Sequence, residues 1–145
     1  MQDKWTNQFL DLATLVATWS KDRSRGVGCV LVGPNREVLS LGYNGFPRGV
    51  KDDVEDRHQR PEKYLWTEHA ERNAIYNAVR NGQRLEGAKA YVTLCPCMDC
   101  ARALIQSGVT EVYFPKPDFE DKVWGEQFKK VSPMLFEAKV KVFMV

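Results

Sequence analysis

The sequence predicts a three-layer α/β/α domain on a mixed five-stranded sheet, and two observations predict it. Short apolar, β-branched runs alternate with helical periodicities along the chain, and the first two runs are joined by a turn too short to hold a helix. The element order is therefore helix, hairpin, helix, strand, helix, strand, helix, strand. A hairpin requires antiparallel pairing. Strand–helix–strand units require parallel pairing with a right-handed crossover, so a hairpin followed by βαβαβ gives a mixed sheet with helices on both faces.

Trp5, Phe9, Leu12, Val16 and Trp19 recur at spacings of four and three, one face of an amphipathic helix over 3–20. Val27–Val32 and Val38–Tyr43 read as strands joined by the turn Gly33-Pro34-Asn35-Arg36. A glycine-rich loop, Gly42 to Gly49, leaves the second strand. Residues 47–66 are half charged and show no period, which predicts a solvated surface loop positioned to fold over a site. A helix is expected over 68–81, packing through Ala70, Ala74, Ile75, Ala78 and Val79 and stopped by Gly82. Ala88–Leu94 is the third strand. The next helix begins near Pro96, where proline is tolerated in the first turn, and ends at Gly108. Val109–Phe114 is the fourth strand, ended by Pro115 and Pro117. Trp124, Phe128 and Val131 predict a helix over 121–131 that Pro133 ends or kinks. Val140–Val145 is the last strand, with Lys139 and Lys141 guarding a sheet edge.

A chain of 145 residues without repeat or linker is expected to form one domain, 1–145, with a sizeable core. Asp3, Lys4 and Asp11 interrupt the N-terminal apolar pattern, which predicts neither signal peptide nor membrane span and a cytoplasmic location. A net charge of +2 gives no electrostatic case for nucleic acid. Of the four cysteines, Cys29 sits in an apolar strand and reads as a buried thiol; without a secretory signal, metal binding is a better default for the others than disulfides.

The chemistry is concentrated in His69-Ala70-Glu71 and Pro96-Cys97-Met98-Asp99-Cys100. Cys97 and Cys100 stand at i and i+3 at a helix start, so both sulfurs face one side, where the electropositive helix end favours thiolate. His69 starts the preceding helix, and two such helices bring their N-termini together at one end of a sheet. One histidine and two thiolates leave a fourth tetrahedral position open for water, the mark of a catalytic zinc site, and Glu71 is placed to move protons beside it. Two other readings stand beside this one. Cys97 and Cys100 form a redox pair, or Cys95 or His58 supplies a fourth ligand to a structural zinc.

The paired pattern H-x-E and P-C-x-x-C is the signature of zinc nucleobase deaminases, and the chain resembles the cytidine/deoxycytidylate deaminase superfamily, especially its deoxycytidylate (dCMP) deaminase branch. Ser20-Lys21-Asp22, Val27-Gly28, the Gly42-Tyr43-Asn44-Gly45-Phe46-Pro47-Arg48-Gly49 loop, Asn73-Ala74-Ile75, Tyr91-Val92-Thr93-Leu94 and Ile105-Gln106-Ser107-Gly108 carry the resemblance beyond the metal motifs. The resemblance implies a cytidine-deaminase-like fold and one zinc per subunit on His69, Cys97 and Cys100. It also implies Glu71 as the proton shuttle, conversion of dCMP to dUMP plus ammonia, and a homo-oligomer, often a hexamer. It places Asn44 at the nucleotide sugar, where the residue alone reads as a turn asparagine tolerating positive φ. Ala70, Arg48, Arg25 and Lys21 are the further substrate-binding candidates, the last three for phosphate. The lysine that relatives carry before Val27-Gly28 is Gly26 here, and Glu68 and Arg72 stand where apolar residues are common. Rival readings are the same chemistry on cytidine, a tRNA base, guanine or a modified dCMP, and a non-enzymatic zinc-stabilised binding module.

Overall fold

The structure, a computed structural model, describes residues 3–145. Helix α1 (Lys4–Ala17) starts where the Asp3 carboxylate accepts the Thr6 N–H at 2.9 Å, satisfying one of the amides that a helix start leaves unpaired. It stops short of residue 20 because the N–H groups of Thr18, Trp19 and Ser20 turn tightly back to the carbonyls of Leu15, Val16 and Ala17. Strands β1 (Gly28–Val32) and β2 (Val38–Tyr43) form the expected hairpin, with Gly28 opposite Tyr43.

The segment 47–66 is more ordered than its lack of period predicts. It holds a 3-10 turn at Glu55–His58 and the one-turn helix α2 (Lys63–Trp66). Elements this short are stabilised by tertiary partners rather than by a repeating apolar face, so no periodicity announces them. The partners are charged: Arg23 reaches Glu55 at 2.7 Å, Lys21 reaches Asp52 at 3.2 Å, and the Arg57 guanidinium lies 3.9 Å from the Trp66 ring centre.

The remaining elements are α3 (Ala70–Arg80), β3 (Lys89–Val92), α4 (Met98–Gln106), β4 (Glu111–Phe114), α5 (Gly125–Glu137) and β5 (Lys141–Met144). The sheet order is β2-β1-β3-β4-β5; β1 is antiparallel to both neighbours, while β3, β4 and β5 run parallel. This is the mixed five-stranded sheet the element order implies. Cys29, Leu31, Val92, Val112 and Phe114 face α3, α4 and α5, whereas Val30, Val32 and Tyr91 face α1 through Phe9 and Ala13.

Pro133 does not end the last helix; α5 continues to Glu137. Buried Phe128, Val131 and Leu135 hold both sides of the proline against the core, while Pro133 and Lys129 lie on the exposed face, where water takes up the carbonyl that loses its partner. Lys139 sits in the α5–β5 turn at φ 61°, outside the strand, so Lys141 alone of the two lysines lies on the edge strand β5.

Helix α3 is laced onto the opposite edge. The Asn73 and Asn77 side chains, one helical turn apart, donate to the Tyr43 and Leu41 carbonyls at 2.8 and 2.7 Å, and the Ser40 hydroxyl donates to the Ala74 carbonyl at 2.6 Å. The close approach needs a glycine at 42, where a Cβ would collide with the Ala70 carbonyl and the Ala74 amide.

Candidate metal centre and active-site cavity

Because α3 and α4 lie side by side on one face, their first turns meet. His69 is the N-cap of α3 and Cys97 the N-cap of α4, and neither side chain caps its helix. Both are thus free to turn toward each other. The His69 Nδ1 lies 3.4 Å from the sulfurs of Cys97 and Cys100, and the three donor atoms all fall within 4.8 Å of one another. Among the described residues this is the one group of three or more metal-capable side chains. Cys100 is fully buried and Cys97 nearly so.

The electrostatics of this cluster suit a cation. A hydrogen bond from the Cys100 thiol, opposed by burial and aided by His69, holds Cys97 far below the ordinary thiol range, while the Cys100 thiol is pushed up by that same bond and by burial. A metal ion on these donors would take the place of the protons the thiols carry. The soft sulfurs and the imidazole nitrogen form a donor set that fits zinc with one position left for water. Cys95 stays outside the group: its buried thiol points to the Pro96 carbonyl at 3.6 Å and is pushed up to about 12 by burial. His58 stacks on Phe46 at 5.0 Å and bonds the Asp52 carbonyl, so neither candidate fourth ligand joins the cluster.

Glu71, the second residue of α3, is 4 % exposed. Burial, then the charge of Cys97, raises its carboxyl to about 7, against the opposing pull of His69. A carboxyl balanced near neutrality can both accept and return a proton. Beside it, Glu68 accepts the His69 N–H at 3.0 Å and the Arg72 Nε at 2.6 Å, and Arg72 reaches Asp99 of α4 at 3.5 Å. The two residues that depart from the common apolar pattern therefore pair with each other, bridging the helix starts that carry the donors.

His69, Cys97 and Glu71 line a cavity of about 770 Å³. Of the residues the resemblance offers for substrate, Ala70, Asn44 and Arg25 line it, whereas Lys21 and Arg48 line a neighbouring cleft of about 250 Å³ that shares Asn44. Arg48 there binds the Asn77 side-chain oxygen at 2.6 Å. Asn44 has no positive φ. Its buried amide instead accepts the Val27 N–H at 2.8 Å and donates to the Arg25 carbonyl at 2.9 Å, fixing the cavity wall.

Several lining residues escape the sequence reading. Trp124 meets the His69 ring edge-on at 5.8 Å and Tyr64 at 5.9 Å. Its helical spacing marks it as a packing residue, and nothing in that spacing reveals a cavity wall. Arg60, Lys63, Lys116 and Lys122 also line the cavity. They come from loops and the one-turn helix, where no period separates a cavity cation from a solvated one.

Residues 3–116 match the family model described as the cytidine and deoxycytidylate deaminase zinc-binding region. The chain is 44% identical to a protein of Aliivibrio fischeri named uncharacterized deaminase in luxG 3'region, over 98% of this chain and 94% of that one. It is 35% identical to the deoxycytidylate deaminase of Mus musculus, over 90% and 81%. Among solved structures, the dCMP deaminase of cyanophage S-TIM5 in complex with dCMP and dUMP superposes with a TM-score of 0.79 at 25% identity, over 100% of this chain and 99% of that one.

Proposed function

The chain belongs to the cytidine and deoxycytidylate deaminase family, and from that premise we propose that it is a zinc-dependent hydrolase that deaminates dCMP to dUMP and ammonia. The observation that carries the reading is the His69–Cys97–Cys100 donor group, of which His69 and Cys97, with the buried Glu71, line a cavity large enough for a nucleotide.

A zinc ion on those donors supplies a Lewis acid that makes water a usable nucleophile at neutral pH. Everything else falls to the chain's own groups. Glu71 takes a proton from the water that adds to C4 of the cytosine ring and delivers one to N3. It then carries the water's second proton to the 4-amino nitrogen, so that the C4–N bond breaks with ammonia as the leaving group. One water is consumed, one ammonia released, and Glu71 ends as it began. Trp124 and Tyr64 supply an aromatic wall beside His69. Asn44 holds the wall through Val27 and Arg25, and beyond those two bonds its amide retains an N–H and a lone pair for the sugar.

The same reading assigns one zinc per chain, a single domain, and a homo-oligomer acting in the cytoplasm. Among the described residues no helix is long and apolar enough to cross a membrane. Side-by-side assay of dCMP, CMP, deoxycytidine and dCTP with ammonia as readout tests the proposal. The expected result is release from dCMP above the others; release from guanine or a tRNA base alone would overturn the substrate, and release from none would overturn the enzyme.

A further inference from the structure

The donor group stands on the first turns of two helices, α3 and α4, and a third helix reaches both of them. Trp124, the N-cap of α5, meets the His69 ring edge-on at 5.8 Å. Three residues on, the Gln127 side-chain oxygen accepts the Met98 N–H, the first amide of α4, at 3.0 Å. Residues at i and i+3 share a helix face, so one face of α5 contacts the start of each donor-bearing helix.

A helix start leaves its first amides without intrahelical partners, and the side chain at the N-cap is the usual acceptor. Cys97 holds that position in α4 but makes no such bond, and its sulfur is turned to His69. The acceptor therefore comes from outside the helix. We propose that Gln127 is a positioning residue for the metal centre. It takes over the capping task that Cys97 gives up, and so fixes where Cys97 and Cys100 stand relative to His69. The inference rests on the zinc-dependent reading above and adds to it a residue that neither binds metal nor reaches substrate. Gln127 lies outside the cavity lining, although Trp124 and Phe128 on the same helix belong to it.

The platform that carries Gln127 is itself held. The Asp121 carboxylate accepts the N–H groups of Val123 and Trp124 at 2.8 Å each, and the Gly125 N–H reaches the Asp121 carbonyl at 2.9 Å. Gly125 is buried so closely on the preceding loop that a Cβ would lie 2.4 Å from the Phe119 carbonyl oxygen. Phe128, Val131 and Leu135 anchor the rest of α5 in the core. A helix start fixed in this way can keep an amide of its neighbour in register. On the α3 side the Arg72–Asp99 pair, at 3.5 Å, joins side chain to side chain with Asp99 half exposed. The Gln127 bond acts on the α4 backbone itself, one residue from Cys97.

The test is zinc affinity, measured by competition with a chromophoric chelator, together with the visible spectrum of cobalt-loaded protein, which reports the geometry of the donors. Gln127→Leu keeps the bulk and removes the acceptor. It is expected to weaken zinc binding by about 10- to 100-fold, as loss of an outer partner of a metal site does, and to shift the cobalt bands. Gln127→Glu, whose carboxylate accepts the same N–H at an electropositive helix end, should restore both. Glu126→Ala, one residue away, removes the exposed pair with Lys129 and should leave both unchanged. In zinc-saturated enzyme Gln127→Leu should lower kcat for dCMP while KM stays, because position 127 does not line the cavity. Unaltered zinc affinity and cobalt spectrum in Gln127→Leu would overturn the role, as would an equal loss in Gln127→Glu or in Glu126→Ala. Wild-type protein whose zinc affinity depends on Gln127 but which deaminates nothing would overturn the function and leave the positioning role standing.

Discussion

At the scale of single residues, roles divide by whether a side chain holds the donor group or moves protons next to it. Glu71→Gln keeps the shape and the donors but cannot carry a proton. It is expected to retain zinc and lose turnover by at least about 10²- to 10⁴-fold, checked by metal analysis beside ammonia release; near-normal activity would remove Glu71 from the chemistry. Cys97→Ala should lose zinc and stability together, since metal binding and folding are coupled. Cys95→Ala should lose neither metal nor turnover, because its thiol faces the Pro96 carbonyl. The donors were legible in the chain because covalent spacing on a helix fixes where i and i+3 point. Trp124 and Arg60 were not, because their place at the cavity depends on how loops return to the sheet, and no local spacing records that.

At the scale of elements, the one-turn helix α2 is held by the Asp22–Lys63 pair rather than by its own propensity. Burial pushes the Asp22 carboxyl up, but the N–H groups of Arg25 and Ser24 and the Lys63 ammonium outweigh it and leave it below its ordinary value of 3.8. A carboxyl depressed in the folded state contributes stability that is present above the unfolded value and lost as pH falls through the lower, folded one. Wild-type stability should therefore exceed that of Asp22→Asn near neutrality, and the gap should close as pH drops below about 4. Chemical denaturation of both proteins across that range measures it; a gap that persists at low pH would mean the pair is not the fastening. Pro133 teaches the complementary lesson. A proline rule read from sequence predicts a stop or a kink, and three buried side chains spanning it carry the helix past one lost hydrogen bond on the exposed face.

At the scale of the whole molecule, the donors are split between the starts of α3 and α4, which follow β2 and β3, strands that are not neighbours but flank β1. A bound ion would thus tie together parts of the chain that share no sequence locality. Zinc at a thousandfold excess over its Kd should add about 4 kcal/mol, or on the order of 10 °C in Tm for a chain of this size. Chelation should remove it in wild type and in Glu71→Gln, and change nothing in Cys97→Ala. The sheet and its helices were legible because strand and helix periods survive in any environment. The boundaries at residues 18–20 and the order within 47–66 were not, since tertiary partners decide them. Position 26 carries this logic down to one backbone site. A Cβ at Gly26 would lie 2.5 Å from the Ala17 carbonyl oxygen at the end of α1, so Gly26→Lys should cost stability in a thermal melt. The carbonyl that ends α1 thus sets what the backbone can carry nine residues further on, and a side chain placed at 26 would report whether that helix end keeps its position.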